Sequence, residues 1–298
     1  MSLKPTVARY AVTSMSFWRF TNTIMLAERV HAALVSLSNG SGIFTGCDEL
    51  HRPLKGHGHA HIFCECNEDG GAGSGGAITH ITIYASSGFR PDDVLALQDL
   101  REVWGGDDPA VRLSLQRLGR VEDFNGSSPL LARSCIWVSR TPFLPTHHPK
   151  RTRAGVAKRD ERGLQIGSPE HDLLRLLDQA GLPRPVLVER VAGTMLGERE
   201  VLWESFLCRR SDGGGKRAAC GKVSGFRVQF LEAVQGPVAV GYASHFGMGG
   251  FVPCARFLIA SDKEIYERGC DNFSSNCEIP GQRNYIHAIR DNDITFSI

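Results

Sequence analysis

The sequence lacks the long apolar segments and paired cysteines that mark membrane proteins and zinc ribbons. No uninterrupted apolar run approaches 20 residues, so no membrane span is predicted. The opening residues, MSLKPTVARYAVTS, contain no apolar stretch of signal-peptide length. The nine cysteines are scattered and form no CxxC pair. We therefore expect reduced thiols in a cytoplasmic protein, not a zinc ribbon.

A large charge of either sign is also missing. The chain has 34 Lys and Arg residues against 32 Asp and Glu residues, which gives a formal net charge of +2. Such a balance neither demands nor excludes a nucleic-acid partner, so the distribution of charge must decide. With 42% apolar and 22% charged residues, the 298-residue chain has a globular composition and enough length for two domains.

Hydrophobic periodicity predicts a β-α-β-β-α-β order in the first half of the chain, which is the ferredoxin-like unit. These strands and helices are predicted over 6–13, 23–37, 57–66, 77–85, 91–104 and 130–139. The second half mixes one helix with short strands, predicted over 168–180, 185–191, 201–208, 224–231 and 236–241. The fold class is therefore α+β, with tandem ferredoxin-like domains and antiparallel sheets. The predicted domains are 1–145 and 146–258, the second one degenerate, and 259–298 is an unassigned extension.

Histidines supply the densest chemical signal. His57, His59 and His61 alternate along one predicted strand, and His80 lies on the next. Alternation puts them on one face, which we expect to be open while the other face packs on the helices. Imidazole titrates closest to neutral pH, and two imidazoles near one phosphodiester can act as base and acid in RNA cleavage.

Two other interpretations of the histidines stay open. A metal site is one, but residues four apart on a strand are separated by about 13 Å, so His57 and His61 are poorly placed to share an ion. No Asp or Glu clearly completes such a set. The second is a structural role at a hairpin or interface. We favour acid–base chemistry and predict no metal and no cofactor.

Two further segments could bind phosphate. The turn GYASHFGMGGF (241–251) holds His245 among several glycines, which let a backbone approach a phosphate closely and form an anion nest. Such turns also occur in many β-rich proteins. The segment TPFLPTHHPKRTR (141–153) leads from a strand end into a basic run. It could be a solvated loop or a phosphate grip.

Five segments together resemble one family of CRISPR-associated proteins. They are RPLKGHGHAHIF (52–63), ITHITIYASSGF (78–89), WVSRTPFLPTHHPKR (137–151), GFRVQF (225–230) and QGPVAVGYASHFGMGGFVP (235–253). They resemble the C-terminal half of the type I-G (formerly I-U) fusion protein, in which a repeat-handle-binding subunit precedes a pre-crRNA processing endoribonuclease. The histidine run and HFGMGGF are the specific parts. The fusion's N-terminal half has no counterpart, so we expect a free-standing nuclease.

The resemblance implies tandem RAMP domains and metal-independent cleavage of CRISPR repeat RNA to mature guide RNA. A 2′-hydroxyl would attack the adjacent phosphate, leaving a 2′,3′-cyclic phosphate and a 5′-hydroxyl. Expected partners are repeat RNA or crRNA and other subunits of a type I effector complex, and no membrane. The predicted catalytic residues are His59, His61 and His80, with His61 and His80 as the base–acid pair. The predicted RNA-binding residues are His57, His148, Lys150, Arg151, Arg153, His245, Gly247, Gly249 and Gly250, and His245 is the rival catalyst.

Two alternative functions remain open from the sequence. His59-Ala-His61-Ile and His80-Ile-Thr82-Ile are weakly similar to the paired HxT motifs of 2H phosphoesterases, although the first lacks its Thr. Such an enzyme would act on RNA ends. A non-catalytic subunit that holds a guide RNA is the other alternative. Site-specific cutting, end trimming and binding without cutting distinguish the three.

Overall fold

The structure is a computed structural model of the whole chain. It describes residues 4–13, 18–50, 52–54, 58–66, 76–105, 109–210, 223–254 and 296–297. Apart from 296–297, the predicted extension 259–298 lies outside this set, as does His57. None of the helices in the described ranges has the length and apolar character needed to cross a membrane.

The first half folds around an antiparallel sheet whose order is β2-β3-β1-β5-β4. Its strands are β1 (Val7–Val12), β2 (His61–Cys66), β3 (Ile78–Tyr84), β4 (Glu102–Val103) and β5 (Val111–Gly119). The helices are α1 (Thr23–Leu37), α2 (Gly42–Thr45) and α3 (Pro91–Asp99). Tyr10, Ile62 and Ile81 of the sheet share a buried core with Leu26 of α1 and Leu97 of α3. The predicted order of strands and helices is confirmed up to α3.

The fourth strand of this unit is β5, not the predicted 130–139. In β5 the residues Val111 and Leu113 are buried at alternate positions, and the strand pairs with β1 through Val7↔Gly119. The segment predicted as fourth strand forms β6 (Arg133–Ser139), which belongs to a second sheet. Periodicity identified β6 as a strand, but it carries no information about which sheet a strand joins.

The second half repeats the ferredoxin-like arrangement around a second antiparallel sheet, in the order β11-β6-β10-β7-β12. The new elements are α4 (Pro169–Gln179), β7 (Leu187–Val191), β8 (Gly193–Leu196), β9 (Arg199–Leu202), β10 (Gly225–Gln235), β11 (Phe251–Pro253) and β12 (Phe296–Ser297). Strands β8 and β9 form a separate hairpin. In α4, Leu173 and Leu177 pack with Trp137 and Phe226 of the sheet. The tandem ferredoxin-like fold is thus confirmed, and the second unit is degenerate.

Two predicted strands of this unit differ from the structure. Over 236–241 only the bridge Ala239↔Gly250 forms, because Pro237 cannot donate to a ladder. The strand predicted over 201–208 ends at Leu202 and continues as a 3₁₀ turn, Trp203–Ser205. The exact domain bounds stay a prediction. Strand β6 belongs to the second sheet, although it precedes the predicted boundary at 145.

In the second unit the Gly-rich turn lies between β10 and β11, where a ferredoxin-like unit has its second helix. This turn joins the two halves. Phe246 and Met248 are buried in the core of the first half, although they follow β10 of the second. A Cβ on Gly247 would lie 2.9 Å from the Ile62 carbonyl oxygen of β2, and one on Gly249 would lie 1.9 Å from the Val240 carbonyl oxygen. Gly247 therefore permits close backbone packing between the halves, and Gly249 permits it within the second half.

We predict that Gly249→Ala destabilises the protein far more than Gly155→Ala. Both glycines have left-handed backbone, with φ of +59° and +80°, so both changes cost strain of about 1–2 kcal/mol. Only Gly249 has a carbonyl in the way, which adds about 1–3 kcal/mol of overpacking. Thermal unfolding measures the difference. Equal losses of stability in the two variants would contradict the packing role.

Candidate active site

Three imidazoles from distant parts of the chain contact one another at the junction of the two halves. The ring centroid of His245 lies 3.5 Å from that of His59, nearly parallel, and 4.0 Å from that of His61. The His59 and His61 centroids are 6.2 Å apart. His245 is therefore closer to each partner than they are to each other, and we call these three residues the imidazole cluster.

Strand β2 and the Gly-rich turn supply the members of the imidazole cluster. His61 is the first residue of β2, and His59 lies two residues before it. His245 lies in a 3₁₀ turn, Ser244–Phe246, flanked by left-handed Ala243 and Gly247. Gly46, after α2, packs against His59, since a Cβ there would lie 3.3 Å from the ring. Backbone geometry therefore fixes both sides of the cluster.

The tautomer of His245 follows from its hydrogen bond. Its Nδ1 lies 3.2 Å from the Ala60 carbonyl oxygen. A carbonyl oxygen only accepts, so Nδ1 carries the hydrogen and donates it. In the neutral ring the lone pair is then on Nε2, which is the arrangement of a general base.

The histidine-bearing face of the hairpin is not open, which corrects the expectation from alternation. His61 is only 8% exposed, and Phe63 and Thr82 on the same face are buried. Glu65 is also buried there and accepts hydrogen bonds from Thr82 Oγ1 (2.5 Å) and Ser128 Oγ (2.7 Å). Alternation identified the shared face correctly, but the chain around Ser128 covers it.

His80 does not join the imidazole cluster. Its register partner on β2 is Glu65, whereas that of His61 is Tyr84, so about 13 Å of strand separates His80 from His61. Burial, followed by the Arg9 guanidinium, holds the pKa of His80 below its usual value, and Glu65 opposes the shift. The expected His61–His80 pair is thus corrected to a contact of His61 with His245.

The amides of the Gly-rich turn do not form the predicted anion nest. Gly247 donates its N–H to the Ser244 oxygen, Gly249 to the Pro142 oxygen and Gly250 to Thr141 Oγ1. All three glycines are buried. Because these donors already have protein acceptors, the predicted RNA contacts through Gly247, Gly249 and Gly250 are corrected to packing contacts.

The predicted basic residues lie on an exposed loop with its own backbone framework. His148, Lys150, Arg151 and Arg153 are all exposed. Lys150, Lys158 and Ile166, spaced eight residues apart, exchange backbone hydrogen bonds in a closed ring of 2.8–3.0 Å. We call residues 146–167 the basic loop. Its cations face solvent, and their contact with RNA stays a prediction.

Sequence reasoning missed the side chains that contact Phe246, the residue after His245. His31 Nε2 lies 3.0 Å from the Phe44 oxygen, and its ring contacts Phe246 edge-on at 5.2 Å. The Arg210 guanidinium lies over the same Phe246 ring, 4.1 Å from its centroid, and Arg210 Nε is 2.7 Å from Glu28 Oε1. Residues 28 and 210 are 182 positions apart, so no local pattern could have paired them.

Comparisons with known proteins give weak structural likenesses. No family model and no curated protein matches the chain. A solved structure titled CRISPR associated protein Cas6 is similar with 11% identity and a TM-score of 0.42, over 85% of this chain and 99% of that one. A structure titled a Cas6 product complex is similar with 12% identity and a TM-score of 0.35, over 85% and 100%. Within the described residues, no group of three or more His, Cys, Asp or Glu side chains has the arrangement of a metal site.

Proposed function

We propose that this protein is an endoribonuclease that cleaves CRISPR repeat RNA, with the imidazole cluster as its active centre. One observation carries the proposal: His245 stacks on His59 and contacts His61 although 185 residues separate it from Ala60, which its ring also contacts. The histidine run and HFGMGGF are the two specific parts of the sequence resemblance. Their meeting in space favours a shared chemical role over two unrelated ones.

The cluster suits transesterification by a 2′-hydroxyl. His245 Nε2 takes the proton as the 2′-oxygen attacks phosphorus, and a protonated His59 or His61 donates a proton to the leaving 5′-oxygen. One P–O bond forms and one breaks, leaving a 2′,3′-cyclic phosphate and a 5′-hydroxyl.

The alternatives fit this arrangement less well. A 2H phosphoesterase needs both histidine motifs at one phosphate, whereas the register of β2 and β3 separates His61 from His80. A purely binding subunit does not need three imidazoles in mutual contact. Retention of the product within an effector complex stays a prediction.

We expect His245→Ala and His61→Ala to slow single-turnover cleavage of the cognate repeat RNA by about 10²–10⁴-fold, the effect of losing one acid–base group. His80→Ala removes an imidazole from the same hairpin outside the cluster, so its rate should change less than about 3-fold by the same reasoning. Unfolding temperatures check that each variant is folded. A large loss in His80→Ala with near-parental cleavage by His245→Ala would return the site to the hairpin pair.

We expect cleavage to continue in EDTA and to yield a cyclic phosphate, because imidazoles alone can serve as base and acid. Product ends can be identified by mass spectrometry of the RNA fragments. Loss of activity in EDTA with rescue by zinc or manganese would favour the metal alternative.

We expect the triple variant Lys150→Ala, Arg151→Ala, Arg153→Ala to bind RNA more weakly and with a shallower salt dependence. Each lost phosphate contact should reduce the log–log slope by about 0.7 for single-stranded RNA. Binding titrations at several salt concentrations measure this slope. An unchanged slope would mean that this loop does not contact RNA.

A further inference from the structure

A second oriented histidine lies at the base of the basic loop, away from the imidazole cluster. His147 Nδ1 is 2.9 Å from Asp172 Oδ1, and the Asp172 carboxylate is fully buried while His147 is 52% exposed. Asp172 also accepts from the Thr146 amide at 2.6 Å and from Arg175 Nη2 at 2.7 Å. His148, the histidine singled out in the sequence, is its exposed neighbour.

The hydrogen bonds determine which nitrogen of His147 faces outward. Burial alone would raise the pKa of Asp172, but hydrogen bonds from Arg175, Thr146 and His147 outweigh it and lower that pKa. The ionised carboxylate only accepts, so His147 Nδ1 donates to it. Arg175 Nη2 also lies 3.0 Å from this Nδ1, but its two hydrogens serve Asp172 and Thr146 Oγ1 (2.8 Å). The Nη2–Nδ1 approach is thus a contact of two donors that share one carboxylate.

This arrangement leaves positive charge on the outer side. Protonated His147 presents an outward Nε2–H, and one carboxylate then faces two cations, His147 and Arg175. Glu170, the other acidic residue in the first turn of α4, is paired with Arg190. The neighbours of His147 along the loop, His148 and Lys150, are exposed, and His171 of α4 accepts from the Gly167 amide through Nδ1 at 3.3 Å. An anion bound at Nε2 would complete the balance of charge.

The basic loop continues directly from this point. A Cβ on Gly167 would lie 2.2 Å from the His148 oxygen, so the two ends of the loop meet beside His147. Between them Lys150, Arg151 and Arg153 are exposed. A polyanion can therefore contact His147 and the loop together, whereas a free phosphate can use only the first.

We propose that His147, held by Asp172 and flanked by the Arg175 guanidinium, forms a phosphodiester subsite for the RNA backbone at the base of the basic loop. The proposal rests on RNA being the ligand of the proposed function, but it assigns a binding role and no chemistry. Unlike the exposed lysines and arginines, this site is preorganised. The buried carboxylate fixes the imidazole before RNA binds, which lowers the conformational entropy lost on binding.

The central test is His147→Asn. The shorter amide can still donate towards Asp172, but it has no outward Nε2. With a fluorescein-labelled 20-nucleotide oligouridylate as probe, we expect about 3- to 10-fold weaker binding at pH 6.0 and a salt slope lower by about 0.7.

Asp172→Asn and Asp178→Asn form a matched pair on α4. Each removes one negative charge, which by itself strengthens RNA binding, but Asp178 is exposed and only Asp172 orients His147. We expect weaker binding in Asp172→Asn and parental or slightly stronger binding in Asp178→Asn. Thermal unfolding monitors the fold, and His147→Asn carries the test if Asp172→Asn unfolds.

The outcomes separate this proposal from the proposed function, because the probe needs no cleavage. Parental affinity and slope in His147→Asn overturn the subsite even where repeat RNA is cut. RNA is overturned as the ligand if micromolar inorganic phosphate shifts the His147 ring resonances while His147→Asn leaves the RNA affinity unchanged. Lost affinity in a protein that cuts no RNA supports the subsite and overturns only the nuclease.

Discussion

The close approach of the Gly-rich turn to strand β2 is the contact on which the rest of the molecule depends. Gly247 allows the turn to lie against the Ile62 carbonyl oxygen of β2, and Gly249 allows it to fold against the Val240 carbonyl oxygen within the second half; a Cβ would collide at either place. That approach seats Phe246 and Met248 in the core of the first half and brings His245 onto His59 and His61. The same close approach therefore explains both the packing and the candidate chemistry. The glycines matter because they have no Cβ to block that approach, and not because they bind a ligand.

The small net charge of the chain hides an uneven distribution of its cations between two regions. The imidazole cluster lies at the junction of the two halves, where His61 is buried. The cations that suit a phosphate backbone lie instead on the basic loop, which its own hydrogen-bonded ring supports. Affinity without sequence information and chemistry at one phosphodiester can then be supplied by different parts of the chain.

The sequence predicted what depends on neighbours in the chain and failed where distant contacts decide. Helix α1 has its predicted bounds, since its apolar stripe and its ends are local. Alternation placed His61 and His80 on one face, but register, which only the pairing of Glu65 with His80 reveals, separates them. His147 escaped notice beside His148 because only the buried Asp172, 25 residues later, distinguishes the two.

The imidazole cluster is assembled from both halves, so it forms only when they dock. Leu196, Trp203 and Phe206 of the second half are buried in the core of the first, so segments of the second half complete that core. Arg140 at the end of β6 adds polar ties, with Nη2 3.2 Å from Cys66 Sγ of β2 and Nη1 2.5 Å from the Met195 oxygen of β8. Because His245 reaches His59 only through this shared core, the imidazole cluster forms in the fully folded chain and is separated in a partly folded one. If the cluster is the active centre, as proposed, the protein is inactive until folding is complete.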